Sequence, residues 1–563
     1  MTMQAGYPVR PLTAGFAIVV IGIVVGMATM LGLTYVRPVM FALAFGGLVL
    51  LIPTVIVRDP KAYWLFLFVV SFLFDVGKRT TTWLADPLVL FHDFGFPALG
   101  TLSIDIYPHD VILFMLLVPW LAQFCLRHEK LYFPRVALIF VLYLAWAFIS
   151  SLLEAQSLYT SIFEWFRELL YFVAFIYIVN DVVRRTQFRA IVLALFVGLV
   201  IAAGSVIAFF DLGIGPETYA FSGLYRQHSG EVTGQVTDSG PMSKLYSELS
   251  SEVSHTERSS KRSSGIFVQP AHAAYYIEYI LPLVLGYLLT TRRIRDRVLL
   301  GGLFGLGCLA LFLTFSRAGL IGLFSGIVAL IALAGWSGLI SRRAFARWAV
   351  TFAVLAALAS PFLIYSLWAR PQTLTKRMEL NEEAVSIFWQ RPIMGYGLNY
   401  GSTIMEGGHK INTTATGRIT QEQVVHNFYL IVLIEVGLVG SLLFFAFFGQ
   451  TLMVGIRHLQ KAAPESKILL AGIVSGLAAV FVHNLGDPFG AHSLQAMLWL
   501  YTGLIFAICR RIQAQAAAPQ LQGSPTLSSS ANRKTAFGSD TKGPAGMVPT
   551  SPAGAPLDDR AAP

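Results

Sequence analysis

The sequence predicts an all-α polytopic membrane protein, and three observations predict it. Charged residues make up only 13% of the 563 residues, about half the roughly one quarter of a soluble domain. Apolar residues, 55% of the chain, gather in long runs; residues 298–315 hold no charge over eighteen positions, long enough for a membrane helix. Lysines and arginines fall between these runs in a regular alternation. Together these exclude a soluble globular domain and a disordered or collagen-like chain. The net charge of +10 is then a property of loops on one side of a bilayer, and no nucleic acid is implied.

The runs define about fourteen transmembrane helices. They are 12–33, 40–57, 62–74, 110–126, 136–153, 158–179 and 188–210, followed by 273–289, 299–315, 318–334, 348–367, 427–448, 468–482 and 494–508. The third is short for a hydrocarbon core of about 30 Å. The first follows Arg10 as a signal peptide would, but no small-residue cleavage site closes it, and the alternation needs it in place.

Every even-numbered connection is basic: Arg58 and Lys61; Arg127, Lys130 and Arg135; Arg184, Arg185 and Arg189; Arg292, Arg293, Arg295 and Arg297; Arg342, Arg343 and Arg347; Arg457, Lys461 and Lys467; Arg510 and Arg511. The short odd-numbered connections carry almost none. The positive-inside rule then places both termini in the cytoplasm and the long connections outside. Four regions follow: helices 1–7 over 1–210, a polar outer loop over 211–269, helices 8–14 over 270–509, and a Pro/Ala/Ser-rich cytoplasmic tail over 510–563 that reads as disordered. The large periplasmic loop 368–425 lies between spans eleven and twelve. With Trp389, a turn at 392–397 and an amphipathic stretch at 378–388, it is expected to be folded. No internal repeat supports an inverted-repeat transporter. Cys125, Cys308 and Cys509 form neither a disulfide framework nor a metal motif.

Charges within apolar runs are costly and mark function or a local ion pair. Span six holds Glu164, Arg167 and Glu168. Glu164 and Arg167 are helix neighbours, read either as mutual neutralisation or as an arginine lining an outward cavity. Thr314-Phe-Ser-Arg-Ala-Gly319 makes a tight hairpin with one arginine, Arg317, at the outer face. That residue is either an interfacial anchor or a bidentate phosphate ligand. The third long loop carries Arg370, Lys376, Arg377, Arg391, Lys410 and Arg418 against Glu379, Glu382, Glu383, Glu406 and Glu422. This is either an anionic-ligand surface or a solvated one with pairs such as Arg377 and Glu382. His426 stands where a helix enters the membrane, placed to move a proton near neutral pH or simply to cap the helix. Asn427 is placed to orient it, and Gly437 and Gly440 are expected on one helix face for close packing.

His426-Asn427, nine residues, then Gly437-x-x-Gly440 resembles the His-[Asn/Ser/Gln]-x9-Gly-x-x-Gly signature of the O-antigen ligase and O-antigen (exopolysaccharide) polymerase superfamily. Three further pieces fall in the family's order. Arg262-Ser-Ser-Gly-Ile-Phe-Val-Gln-Pro270 resembles its Arg-x-x-Gly-x-Phe-x-Asn-Pro entry, with Gln269 replacing asparagine. Ser316-Arg317-Ala318-Gly319 resembles its Ser-Arg-Gly hairpin. Arg377 through Arg391-Pro392-Ile-Met-Gly395-Tyr-Gly397 resembles its periplasmic-loop run. Thr101-Leu-Ser-Ile-Asp105 matches a weaker family pattern.

The resemblance implies a GT-C-like membrane glycosyltransferase. Such an enzyme moves a glycan from undecaprenyl diphosphate to an acceptor sugar of a glycan or glycolipid, with inversion and with neither metal nor other cofactor. His426 would deprotonate the acceptor, Arg317 and Arg377 would hold the diphosphate, and Arg262, Arg167, Asn427 and Arg391 would be further substrate contacts. A polymerase for exopolysaccharide or O-antigen is the leaning, beside a flippase and a chain-length regulator as partners. An O-antigen ligase acting on lipid A-core is the alternative, and a lipid-linked oligosaccharide transporter is the alternative of another class.

Overall fold

The computed structural model describes residues 59–74, 78–80, 104–127, 130–155, 158–212, 262–267, 269–368, 371–400 and 425–522. The predicted spans at 12–33 and 40–57, most of the outer loop 211–269, and Lys410 and Arg418 lie outside them. The chain divides into two units, Met1–Ala514 and Gln515–Pro563; the architecture below is that of the first.

Thirteen helices are described. In order they are α1 (Pro60–Val70), α2 (Pro108–Arg127), α3 (Ala137–Glu154), α4 (Leu158–Asp181), α5 (Arg185–Leu212), α6 (Pro270–Thr290) and α7 (Ile294–Leu313). They continue with α8 (Arg317–Trp336), α9 (Arg342–Trp368), α10 (Pro371–Gln390), α11 (Phe428–Leu459), α12 (Pro464–His483) and α13 (His492–Gln522). Among the described residues nine are long and apolar enough to cross a membrane: α2, α3, α5, α6, α7, α8, α11, α12 and α13. α4 is equally continuous, but its apolar run is interrupted by Glu164, Arg167 and Glu168. The protein is therefore an all-α polytopic membrane protein, and each predicted span within the described residues falls on a helix.

Three expectations change in detail. The all-α reading gains one small antiparallel pair, β1 (Lys78–Thr80) with β2 (Ile104–Ile106), in which Arg79 faces Asp105. Two three-residue strands need only one short ladder, which apolar periodicity does not register. α13 runs past the expected boundary at 510 to Gln522 through alanine and glutamine, both good helix formers; the rest of the predicted tail lies outside the described residues. The large outer loop begins as a full helix, α10.

Helix starts follow the local chemistry. Pro270 and Pro464 occupy the first turns of α6 and α12, where a missing N–H costs nothing. The Ser316 hydroxyl accepts from Gly319 N at 3.1 Å to cap α8. Asn427 Oδ1 accepts from Tyr429 N at 3.0 Å and Leu430 N at 3.3 Å to cap α11.

α6, α12 and α13 are the innermost helices, and α7 is among the most lipid-exposed. α8 packs closely on α6 and α12 through small residues. A Cβ on Gly322 would lie 2.8 Å from Ala479 O, and one on Gly326 2.8 Å from Ala479 Cβ. This is the small-residue packing expected where lipid supplies no hydrophobic driving force.

The antiparallel succession gives the bundle two chemically different ends. One is the basic end, tied by Lys61 to Asp181 at 2.6 Å, Arg185 to Glu465, and Lys467 to Ser337 O at 2.8 Å. The other gathers the α3–α4, α5–α6, α7–α8, α9–α11 and α12–α13 connections. Every residue singled out above for chemistry, within the described residues, belongs at or near this second end.

Candidate active site

The α12–α13 connection organises the second end. Asp487 stands in it, outside the helices. Arg377, from α10, donates through Nη2 to Asp487 Oδ1 at 3.0 Å and through Nη1 to Gly486 O at 2.7 Å. Its Nε is buried with no hydrogen-bond partner. Arg377 is thus oriented by two contacts, which use two of its five N–H donors. Its acidic partner is Asp487, not the Glu382 considered from sequence. Burial pushes the Asp487 carboxyl up, but the hydrogen bond from His483 and the Arg377 charge outweigh it and hold the group below the usual carboxylate range.

His426 is half-buried and immediately precedes the α11 cap. The Asp487 carboxylate lies within electrostatic reach of it. Phe428 N donates to Asn484 O at 3.0 Å, which fixes the start of α11 against the same connection. Asn427 spends its side chain on the helix cap, so its contribution to His426 is to fix where the helix begins.

The Arg317 hairpin abuts the connection from the other side. A Cβ on Gly486 would stand 3.0 Å from Ala318 Cβ. Arg317 is the first residue of α8, and Phe315, two residues before it, has a positive φ of 50°, the sharp turn of a two-helix hairpin. The Arg262 segment ties onto that hairpin: Arg262 Nε donates to Thr314 O at 3.2 Å and Ser263 N to Leu313 O at 3.2 Å. Arg377 thus contacts the connection directly, the segments carrying His426 and Arg317 pack against it through Phe428 and Ala318, and Arg262 joins through the hairpin.

Two predicted arginines are engaged elsewhere. Arg391 pairs with Glu154 at the end of α3 and lies over the Tyr396 ring, 4.7 Å from its centroid. Arg167 is buried in α4, where it meets His492 at 2.6 Å and Glu164 at 3.7 Å beneath Tyr107.

The glycines have a different role from the one expected. Gly437 does not share a continuous helix face with Gly440, because α11 is broken there: Gly437 has φ 64° and ψ −172°. The break frees backbone groups, and the 392–397 turn fills them. Tyr396 N donates to Ile434 O at 2.9 Å, Gly397 N to Glu435 O at 2.9 Å, and Leu438 N to Pro392 O at 2.8 Å. Gly395, at φ 75°, leaves no room for a Cβ, which would meet Glu435 O at 2.5 Å. Gly440 instead faces Trp146 of α3, whose Nε1 donates to Val436 O at 3.0 Å. Ser150 Oγ donates to Met394 O at 2.6 Å and Ser161 Oγ to Leu398 O at 2.6 Å. The two glycine motifs are thus one structural device that holds α10 and its Arg377 beside α11 and its His426.

Sequence reasoning missed Asp487, His483, Glu278 and Tyr275. His483 Nε2 is 3.3 Å from Asp487 Oδ2, and His483 Nδ1 is 2.8 Å from Glu278 Oε1. Tyr275 stacks on His483 and donates to Asp487 O at 3.1 Å. One signal could have found Glu278: it is the sole charge in the run 270–290.

A helical membrane protein with a histidine and arginine cluster at one bundle end has the groups to deprotonate an acceptor hydroxyl and to stabilise the charge of a departing anionic leaving group. Residues 302–445 match the O-Antigen ligase family model, a segment that takes in Arg317, Arg377, His426, Gly437 and Gly440. The match supports the O-antigen ligase and polymerase superfamily, and with it a membrane enzyme of glycosyltransferase type. No curated protein matches the chain.

Proposed function

We propose that this protein transfers a glycan from a polyprenyl diphosphate, undecaprenyl diphosphate in a bacterial inner membrane, to an acceptor sugar hydroxyl at the periplasmic face. The reading places both termini in the cytoplasm. The observation that carries it is the hold of Arg377 on the 484–487 connection, against which the start of α11 beside His426 and the Arg317 hairpin also pack. His426 takes the acceptor hydroxyl proton as the oxygen attacks the anomeric carbon. The bond from that carbon to the diphosphate oxygen breaks, and inversion follows from attack opposite the leaving group. Polyprenyl diphosphate departs as an anion, and the guanidinium groups of Arg377 and Arg317 stabilise its charge without a metal ion.

Polymerisation of lipid-linked repeats is the favoured form, with ligation to lipid A-core the alternative. The direct test is purified protein with a synthetic polyprenyl-diphosphate-linked repeat, which should release polyprenyl diphosphate and lengthen the glycan. Absence of both products would refute the reading. In cells, loss of the gene should accumulate single lipid-linked repeats. Accumulation of finished lipid-linked polymer with undecorated lipopolysaccharide would instead identify the ligase.

Arg317→Lys should lower the transfer rate about tenfold to a hundredfold, because an ammonium cannot copy a bidentate guanidinium contact. Steady-state release of polyprenyl diphosphate reads this out, and an unchanged rate would reduce Arg317 to a membrane anchor.

A further inference from the structure

The bundle interior holds a charged chain that neither membrane crossing nor helix packing requires. It runs from Arg377 through Asp487 and His483 to Glu278, with successive contacts of 3.0, 3.3 and 2.8 Å. Glu278 and His483 are fully buried. Tyr275 lies flat on the imidazole, ring centroids 3.6 Å apart and planes 11° apart. Gly322 of α8 closes the far side, where a Cβ would meet Glu278 Oε2 at 2.6 Å, and that oxygen has no hydrogen-bond partner. Among the described residues no three histidine, cysteine or carboxylate groups are arranged to hold a metal ion.

Burying an ion pair costs several kcal/mol per charge in desolvation, and apolar residues of like volume often serve stability as well or better. A buried pair is therefore weak evidence for stability, and its role is to be sought in what it positions. Here its outer end supplies the answer. Arg377 stands on α10, in the long outer connection, and its guanidinium is held to Asp487 and Gly486. Asp487 in turn meets His483, whose second ring nitrogen is fixed by Glu278.

We infer that Glu278 and His483 are positioning residues for the transfer reaction: they set the Asp487 carboxylate, which sets the Arg377 guanidinium at the diphosphate. This rests on the transfer reading above. Misplacement by about 1 Å at a reacting centre can cost on the order of a hundredfold in rate, so His483, two contacts from the guanidinium, and Glu278, three contacts away, have a large lever.

The test uses full-length protein in lipid nanodiscs with the synthetic polyprenyl-diphosphate-linked repeat. Glu278→Gln and His483→Gln should each lower kcat about 10-fold to 100-fold with a much smaller change in donor KM. Adding Glu278→Gln to Arg377→Ala should cost nothing further, because the residue acts only through Arg377. Multiplicative losses in the double variant, or wild-type kcat in Glu278→Gln, would overturn the proposal. Should Glu278→Gln fail to fold, Tyr275→Phe keeps the stacked ring and removes only the bond to Asp487; it should show a smaller loss that likewise vanishes in Arg377→Ala, and a loss that persists there would overturn the proposal. Hydrogen exchange gives a reading independent of turnover. Glu278→Gln should speed exchange across 371–398 while leaving α3 unchanged, and unchanged exchange across 371–398 in an active protein counts against the proposal. A wild type that transfers nothing counts instead against the transfer reading on which the proposal stands.

Discussion

Replacing His426 with alanine should lower glycan transfer by about 10²-fold to 10⁴-fold, the span typical of a lost general base, while the protein still accumulates and unfolds at close to its normal temperature. The separation of activity from stability follows from geometry. His426 is only half-buried and sits outside the regular helix, whereas the cap of α11 is made by Asn427. Asn427→Ala should behave in the opposite sense, costing about 1 kcal/mol of stability with a milder loss of rate. Transfer assays on both variants, paired with thermal unfolding in detergent, check the contrast. Normal transfer by His426→Ala would remove the base from the mechanism.

Gly437→Ala should be the most damaging small substitution in the molecule, lowering stability by at least about 3 kcal/mol. Its backbone lies in a region open essentially to glycine alone, which accounts for roughly 1–3 kcal/mol. The added Cβ would also fall 2.1 Å from Ile393 O, so the 392–397 turn would have to leave the break it fills. That would strip partners from Ile434 O, Glu435 O and Leu438 N, each of them costly to leave buried. A methyl group added at Gly449, farther along the same helix, would meet nothing within 4 Å. Gly449→Ala should be neutral or stabilising by up to about 1 kcal/mol. Thermal unfolding of the two variants side by side is the measurement, and equal midpoints would show that the break is not what orders the loop.

The membrane architecture is readable from run length and charge placement because both act locally: an apolar run of about twenty residues must be a helix wherever its neighbours lie. Arg317 and His426 are legible for the same reason, each being a polar residue at the edge of such a run. What pairs across the chain is not legible. Arg377 meets Asp487 and His483 meets Glu278 only because α10, α12 and α6 converge, and no spacing in the sequence announces that. Gly437 and Gly440 stand three apart, a pattern that reads as a small helix face. Only the hydrogen bonds from 392–397 reveal that the first of the two is a break.

Tyr400 and Val425 pack against one small apolar cluster built from Ala384, Tyr396 and Ile434. The segment 401–424 therefore departs and returns at a single clasp, whose own order comes from the α11 break and from α10. Closing a loop on ends already held together depends only weakly on its length, about 0.6 kcal/mol for each doubling. Evolution can accordingly lengthen, shorten or replace this stretch as a cassette while Arg377 and His426 keep their places.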